Sequence, residues 1–311
     1  MISSRRFRPR FSFASGKLVV LAVAIIASAG VAAACIPWQV VRPSGPAPLR
    51  YRDEVFGNYT LTSNLQYGSA PGLDGSPVAL KLDLYEPAND SVAARPAIVW
   101  VHGGGYVGGD KAAGPAVIMA PLYAKLGYVF VSIDYRLLTA HGCNATNGVA
   151  ADCYAAAVAA IHDAQAAVRW LRANAAQYRI DPDRIGIGGE SAGAITATGV
   201  GIYADQPGDS GNPGYASNVQ GWVSISGGVP NGILVDSSDA PGFLFSGTAD
   251  TTVPYIWSVQ TADAMAAAGV PVVFRSLPDA GHVPWLRYGD VFEEQSENFF
   301  YKYLDLAGAA R

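Results

Sequence analysis

Arg184-Ile185-Gly186-Ile187-Gly188-Gly189-Glu190-Ser191-Ala192-Gly193-Ala194 decides how the rest of the chain is read. Ile185 and Ile187 form a short β-branched apolar run, the end of a buried strand. Glycines follow at once, and a helix-compatible run starts behind them. Gly189-Glu190-Ser191-Ala192-Gly193 fits Gly-x-Ser-x-Gly, in which a serine sits on a sharp strand-to-helix turn. Such a turn brings backbone segments together, so a Cβ at either flanking position would collide. It lifts Ser191 toward solvent and aims the Ala192 amide, at the start of a helix, where an anion is favoured. The same residues also suit an ordinary glycine turn whose serine caps the helix, so the reading needs support from elsewhere.

On both sides of this stretch, strand-like and helix-like segments alternate. Val78 to Tyr85 alternates apolar and polar residues, as a half-buried strand does. Ala97–Val101, Tyr128–Ile133, Val219–Ile225, Phe243–Phe245 and Val272–Phe274 read as further strands. Ala116–Leu126, stopped by Gly127, reads as a helix, as do Thr261–Ala268 and Glu293–Leu306. Cys153–Asn174 is a long Ala-rich helix with Val158, Ile161, Val168 and Leu171 at helical spacing. This alternation implies an α/β fold with a mostly parallel central sheet. Fully apolar strands imply helices on both faces of it. The irregular stretches at 204–218 and 227–240 are short for a lid domain, so an open or lightly covered site is expected.

The 311 residues are 50% hydrophobic and 15% charged, the balance of a globular chain with a large core. The net charge of −4 and the lack of a long basic run beyond the first ten residues argue against a nucleic-acid binder. Arg5, Arg6, Arg8, Arg10 and Lys17 precede an uncharged apolar run from Leu18 to Ala34. That is the layout of a secretory signal peptide, with Ala32-Ala33-Ala34 as cleavage residues. Cys35 directly after it is a candidate for lipid attachment, although Ala32 stands where a leucine is expected. An uncleaved membrane anchor is the third reading of residues 1–34, at the short limit for a bilayer span. Residues 35–48 are Pro-rich and read as a linker, and 49–311 as one catalytic domain. Cys143 and Cys153 bracket a small polar loop and are expected to pair as a disulfide in an exported protein.

Three features can be set against Ser191. His102-Gly103-Gly104-Gly105-Tyr106 closes a buried strand, and consecutive glycines let backbone N–H groups approach an oxygen closely. Gly104 and Gly105, with Ala192, are the expected oxyanion donors; His102 is expected to hold the loop through a hydrogen bond. Asp250 follows the apolar strand Gly242 to Ser246, at the carboxyl edge where a doubly wound sheet carries its site. Asp236, Asp239 and Asp263 lie before the strand or in the following helix. Of the four histidines, His102, His141, His162 and His282, only His282 follows the last strand in a loop able to fold back over the serine. Serine needs an adjacent base, and histidine suits that task at neutral pH. The chain order Ser191, Asp250, His282 is the one this architecture uses.

On His102 to Tyr106, Asp134-Tyr135-Arg136, Asp163 to Asn174, Asp181 to Ala194, Gly247 to Pro254 and Ala280 to His282, the chain resembles the α/β-hydrolase carboxylesterase/lipase superfamily. It is most similar to bacterial esterases with a His-Gly-Gly-Gly loop, of the hormone-sensitive-lipase-like or feruloyl-esterase-like branch. The resemblance implies ester hydrolysis of a small-molecule substrate with Ser191 as nucleophile, His282 as base and Asp250 as its orienter, with neither metal nor cofactor. It also implies a structural ion pair at Asp134-Tyr135-Arg136. The long amino-terminal cap of hormone-sensitive-lipase relatives is missing, and the Cys143–Cys153 loop is an addition. A peptidase of prolyl-oligopeptidase type lacks room for its propeller here. A non-catalytic surface-binding protein is the reading from another class. Tyr106 and Trp285 are candidates to line the pocket, with a core position the better reading for Trp285, and Glu190 is left without a role beyond supporting the turn.

Overall fold

The fully apolar runs of the sequence become the middle of one eight-stranded sheet in a computed structural model. Residues 36–137, 143, 151–204, 206, 208–230 and 234–309 are described. In chain order the elements are β1 (Tyr59–Pro71), β2 (Pro77–Pro87), β3 (Arg95–Val101), α1 (Ala116–Leu126) and β4 (Val129–Ile133). Then come α2 (Ala151–Ala173), α3 (Ala175–Tyr178), β5 (Ile180–Glu190), α4 (Ala192–Ile202) and β6 (Gly221–Ile225). The last are β7 (Gly242–Gly247), α5 (Tyr255–Ala267), β8 (Val272–Leu277) and α6 (Trp285–Tyr303). The sheet order is β1-β2-β4-β3-β5-β6-β7-β8. From β4 across to β8 every pairing is parallel, while β1 and β2 add an antiparallel edge.

Side chains alternate across a strand, so each buried strand feeds two cores. Val99, Val101, Val131, Ile185 and Ile187 point into the layer closed by α2, α4 and α5. Ile98, Trp100, Phe130, Val223 and Phe243 point into the layer closed by α1 and α6. This is why β3 and β4 are apolar at every position except Ser132 and the entry residues Arg95 and Pro96. Burial of such strands on both faces drives the fold through the area removed from water, about 25 cal/mol per Å².

The Pro-rich stretch expected as a linker is fastened to the domain from residue 37 onward. The Phe274 amide donates to the Pro37 carbonyl at 2.9 Å, and Val40, which is buried, donates to Gln295 Oε1 at 2.7 Å. Arg275 stacks over Trp38, and the Tyr51 amide donates to the Leu126 carbonyl. Residues 1–35, including the apolar run and Cys35, lie outside the described residues. Among the described residues no helix is long and apolar enough to cross a membrane.

Candidate active site

β5 ends at Glu190, and the chain turns into α4 through Ser191, which takes φ 56° and ψ −121°. An L-residue in that region is strained, and such strain persists only where the surroundings fix it. Here the Ser191 amide donates to the Ile225 carbonyl at 2.9 Å. The flanking glycines have the reason the sequence suggested. A Cβ on Gly193 would stand 2.0 Å from the Val101 carbonyl oxygen, and one on Gly189 would stand 2.5 Å from it. The turn thus nests against the carboxyl end of β3 in a gap with no room for a methyl group.

Two other strand ends converge on this serine. His282, in the loop between β8 and α6, places Nε2 at 2.8 Å from Ser191 Oγ. Its Nδ1 donates to Asp250 Oδ2 at 2.8 Å. Because a carboxylate only accepts, Nδ1 carries the proton and Nε2 is left as acceptor for the serine hydroxyl. Asp250 follows β7 and is buried, and its Oδ1 accepts the amides of Thr252 (3.0 Å) and Val253 (3.1 Å). The two loops are also laced together through their backbones. The Ala249 amide donates to the Ala280 carbonyl, and the Asp279 amide to Thr248 Oγ1.

The His102 to Tyr106 loop lies against the nucleophile. A Cβ on Gly103 would stand 3.1 Å from the Cβ of Ser191. Gly104 (φ 109°) and Gly105 (φ 60°) turn the loop through left-handed backbone, and a Cβ on Gly104 would meet the Gly108 carbonyl oxygen at 2.0 Å. Neither Gly104 nor Gly105 gives its N–H to a backbone carbonyl among the described residues. The buried Tyr106 hydroxyl donates to the Ala192 carbonyl at 3.0 Å, joining loop and elbow. His102 is buried, stacks on Tyr135 at 4.4 Å and donates from Nδ1 to the Gly103 carbonyl at 2.6 Å. Burial lowers its pKa, which keeps the ring neutral. Behind it, Arg136 forms a buried ion pair with Asp163 at 2.9 Å, and Lys111 meets Asp134 at 3.2 Å.

Two contributors escaped the sequence reading. Glu190 is buried, and its carboxyl accepts from Gly103 N (2.9 Å) and Trp100 Nε1 (2.9 Å). Burial pushes its pKa up, while the Gly103 and Trp100 N–H donors oppose that shift by favouring the carboxylate. Ser226, just past β6 at φ 53°, accepts the Val283 amide on its Oγ at 2.9 Å and so fixes the residue after His282. Its only sequence signal was a Ser-Gly-Gly run at a strand end. Trp285 packs against Phe292 in the core under α6, the role the sequence favoured for it over the pocket. Trp257 lines the pocket in its place.

A cavity of about 930 Å³ opens beside Ser191. Its walls include Ala157, Val158 and Ile161 of α2, Ile195 of α4, and Leu234 and Trp257 beyond them. Cys143 and Cys153 also border it, with their Cα atoms 5.6 Å apart and their sulfurs joined. Neither lysine nor arginine lines it among the described residues, and no cluster of side chains there could hold a metal ion.

This sheet order, with its serine turn after the fifth strand, is that of the α/β-hydrolase fold, and the chain is similar to carboxylesterases and lipases over part of its length. A family model described as BD-FAE matches residues 82–220. A truncated carbohydrate esterase from gut microbiota superposes with a TM-score of 0.63 at 25% identity, covering 84% of this chain and 100% of that one. Thermogutta terrifontis Est2, described as a thermophilic esterase, superposes with a TM-score of 0.60 at 25% identity, covering 83% and 95%. Carboxylesterase 1C of Rattus norvegicus is 34% identical over 170 residues, 52% of this chain and 28% of that protein. A medium-chain fatty acyl-CoA hydrolase precursor of Anas platyrhynchos is 31% identical over 164 residues, again 52% and 28%. The chain thus spans less than a third of the length of these curated relatives.

Proposed function

We propose that this chain is a serine carboxylesterase that hydrolyses neutral small-molecule esters through an acyl-enzyme on Ser191. The observation that carries the reading is the unbroken relay from Ser191 Oγ to His282 Nε2 and from His282 Nδ1 to Asp250, at 2.8 Å for each step. His282 takes the serine proton as Oγ attacks the ester carbonyl, and Asp250 stabilises the imidazolium. The amides of Gly104, Gly105 and Ala192 receive the oxyanion; each such donor contributes about 10²–10³ in rate. The imidazolium then protonates the leaving alcohol, and the same ring activates the water that frees Ser191.

The apolar cavity favours an ester with a bulky uncharged group. The amino-terminal run supports an exported enzyme, with residues 1–34 as signal peptide or anchor or with a lipid on Cys35, and with the catalytic domain beyond. An oxidised Cys143–Cys153 pair agrees with export.

A fluorophosphonate titration with mapping of the adduct tests the assignment. Thermogutta terrifontis esterase 2, 26% identical, is known in a form phosphonylated by cyclosarin. One equivalent bound at Ser191, with matching loss of p-nitrophenyl ester turnover, is the expected result. Labelling elsewhere, no labelling, or an active Ser191→Ala variant overturns it.

A further inference from the structure

We propose that Glu190 is the positioning residue that sets the spacing between the nucleophile and the oxyanion loop; the proposal rests on the esterase reading above. Glu190 is joined to Ser191 by a peptide bond, and its side chain reaches back to the end of the neighbouring strand. There both carboxyl oxygens are used: Oε1 accepts the Gly103 amide and Oε2 accepts the Trp100 indole N–H, each at 2.9 Å. Gly103 is the residue before Gly104 and Gly105, so one hydrogen bond separates the carboxyl from the backbone that carries the oxyanion donors.

The other end of the brace is immobile. Trp100 is fully buried, stacks on Phe130 at 6.3 Å and meets Phe292 edge-on at 6.2 Å. The space above the carboxyl is closed by Gly114, where a Cβ would stand 3.1 Å from Glu190 Oε1. The carboxyl therefore has a defined seat between a fixed indole and a glycine-rich loop. The loop needs such a seat, because Gly103, Gly104 and Gly105 lack side chains of their own to lock it. Taking a carboxyl out of water is costly unless it is hydrogen-bonded, which makes a position without function a poor place to keep one.

The two donors are what make the idea testable. A glutamine at 190 has nearly the same shape, but it offers one oxygen and one NH₂ to two N–H groups. One of them must face a donor. Removing the indole donor as well lets the amide oxygen go to Gly103. For Glu190→Gln, kcat on a p-nitrophenyl ester falls by about 10- to 100-fold while KM changes less than about twofold, as expected when reacting groups are misplaced by a fraction of an ångström. Stoichiometric fluorophosphonate labelling at Ser191 is retained. In the Glu190→Gln, Trp100→Phe double variant, kcat recovers by about tenfold or more over Glu190→Gln alone. Trp100→benzothienylalanine, which keeps the ring shape and drops the N–H, serves as the partner should the phenylalanine variant not fold. A Glu190→Gln enzyme with wild-type kcat, a loss that tracks thermal unfolding, or a double variant with simply multiplied losses overturns the proposal. If the wild-type enzyme itself fails to label at Ser191, the esterase reading fails instead.

Discussion

His282 Nε2 lies 2.8 Å from Ser191 Oγ, although the two residues come from the last loop and the middle of the chain. What holds that distance is Asp250, whose second oxygen is tied to the Thr252 and Val253 amides. This asymmetry decides what Asp250→Asn does. The asparagine oxygen must stay at the two amides, which leaves its NH₂ facing His282 Nδ1. The ring is then driven to the tautomer with hydrogen on Nε2, which cannot take the serine proton. We expect kcat/KM for a p-nitrophenyl ester to fall by about 10⁴ with thermal stability nearly unchanged. A loss below tenfold speaks against Asp250 as the orienter.

The glycines around the site are not equivalent. Gly193→Ala drives a Cβ to 2.0 Å from the Val101 oxygen, whereas a Cβ on Gly281 finds nothing within 4 Å. Gly193→Ala should cost about 1–3 kcal/mol through forced backbone shifts, and most of the activity with it. Gly281→Ala should leave both within error. Thermal melts of the two variants side by side check the contrast.

The parallel core and the serine turn were legible because their chemistry is local. Unbroken apolar runs gave β3 to β8, and glycines at strand ends marked the three loops that meet. The edge strand β1 was not legible. It is polar, mostly exposed and interrupted at Thr62/Leu65 and Gln66/Gly68, so alternation never builds up. α6 starts at Trp285, eight positions ahead of the sequence expectation, because Gly289 weakens its first turns as a helix former. That glycine lies beneath the Trp285 ring, where a Cβ would stand 3.1 Å from the indole nitrogen. Glu190 and Ser226 were missed for a different reason. Each acts through a partner distant in sequence, and nothing in the local pattern announces a hydrogen bond to a loop.

A buried glutamate gives the fold a pH dependence. Burial pushes Glu297 up to about 8, with Glu293, Glu294 and Asp53 adding to the effect against Arg42. In the unfolded chain a glutamate titrates near ~4.3. Between those values the folded state holds a proton that the unfolded state has lost, so the contribution of Glu297 falls as pH rises from about 4.5 to 8 and then levels. The slope is at most about 1.4 kcal/mol per pH unit. Asp53, held down to about 2 by Arg52, acts in the opposite sense, and its contribution is lost only as pH drops below the ordinary carboxylate range. The buried His102 and the half-buried His162, both lowered, also act in the opposite sense to Glu297, so the check is a difference: melting curves from pH 5 to 8.5 should fall more steeply with pH for the wild type than for Glu297→Gln. Parallel curves for the two proteins contradict the assignment.

The Cys143–Cys153 pair borders the cavity, so its redox state should be read in stability and in substrate affinity together. Closing a loop of this length stabilises by roughly 3 kcal/mol on chain-entropy grounds. The Cys143→Ser, Cys153→Ser double variant should melt lower and show a raised KM for bulky esters, with little change for acetate. Thiol titration of the unfolded, unreduced wild-type protein should find neither cysteine free.

The cavity sets the last expectation, and its size adds what the open or lightly covered site read from the sequence left unstated. A volume of about 930 Å³ walled by Ala157, Val158, Ile161, Ile195 and Trp257 is far larger than an acetyl group needs. Each methylene moved from water onto such walls contributes up to ~0.8 kcal/mol, about fourfold in kcat/KM. Along a series of p-nitrophenyl esters, kcat/KM should therefore climb from acetate to at least octanoate. Ala157→Trp places an indole in that space from the α2 wall, remote from the relay. It should bring the optimum back to the shortest esters while acetate turnover stays within about threefold. A wild-type optimum at acetate, or a tryptophan that leaves the profile unmoved, means that the acyl group leaves the site by another path.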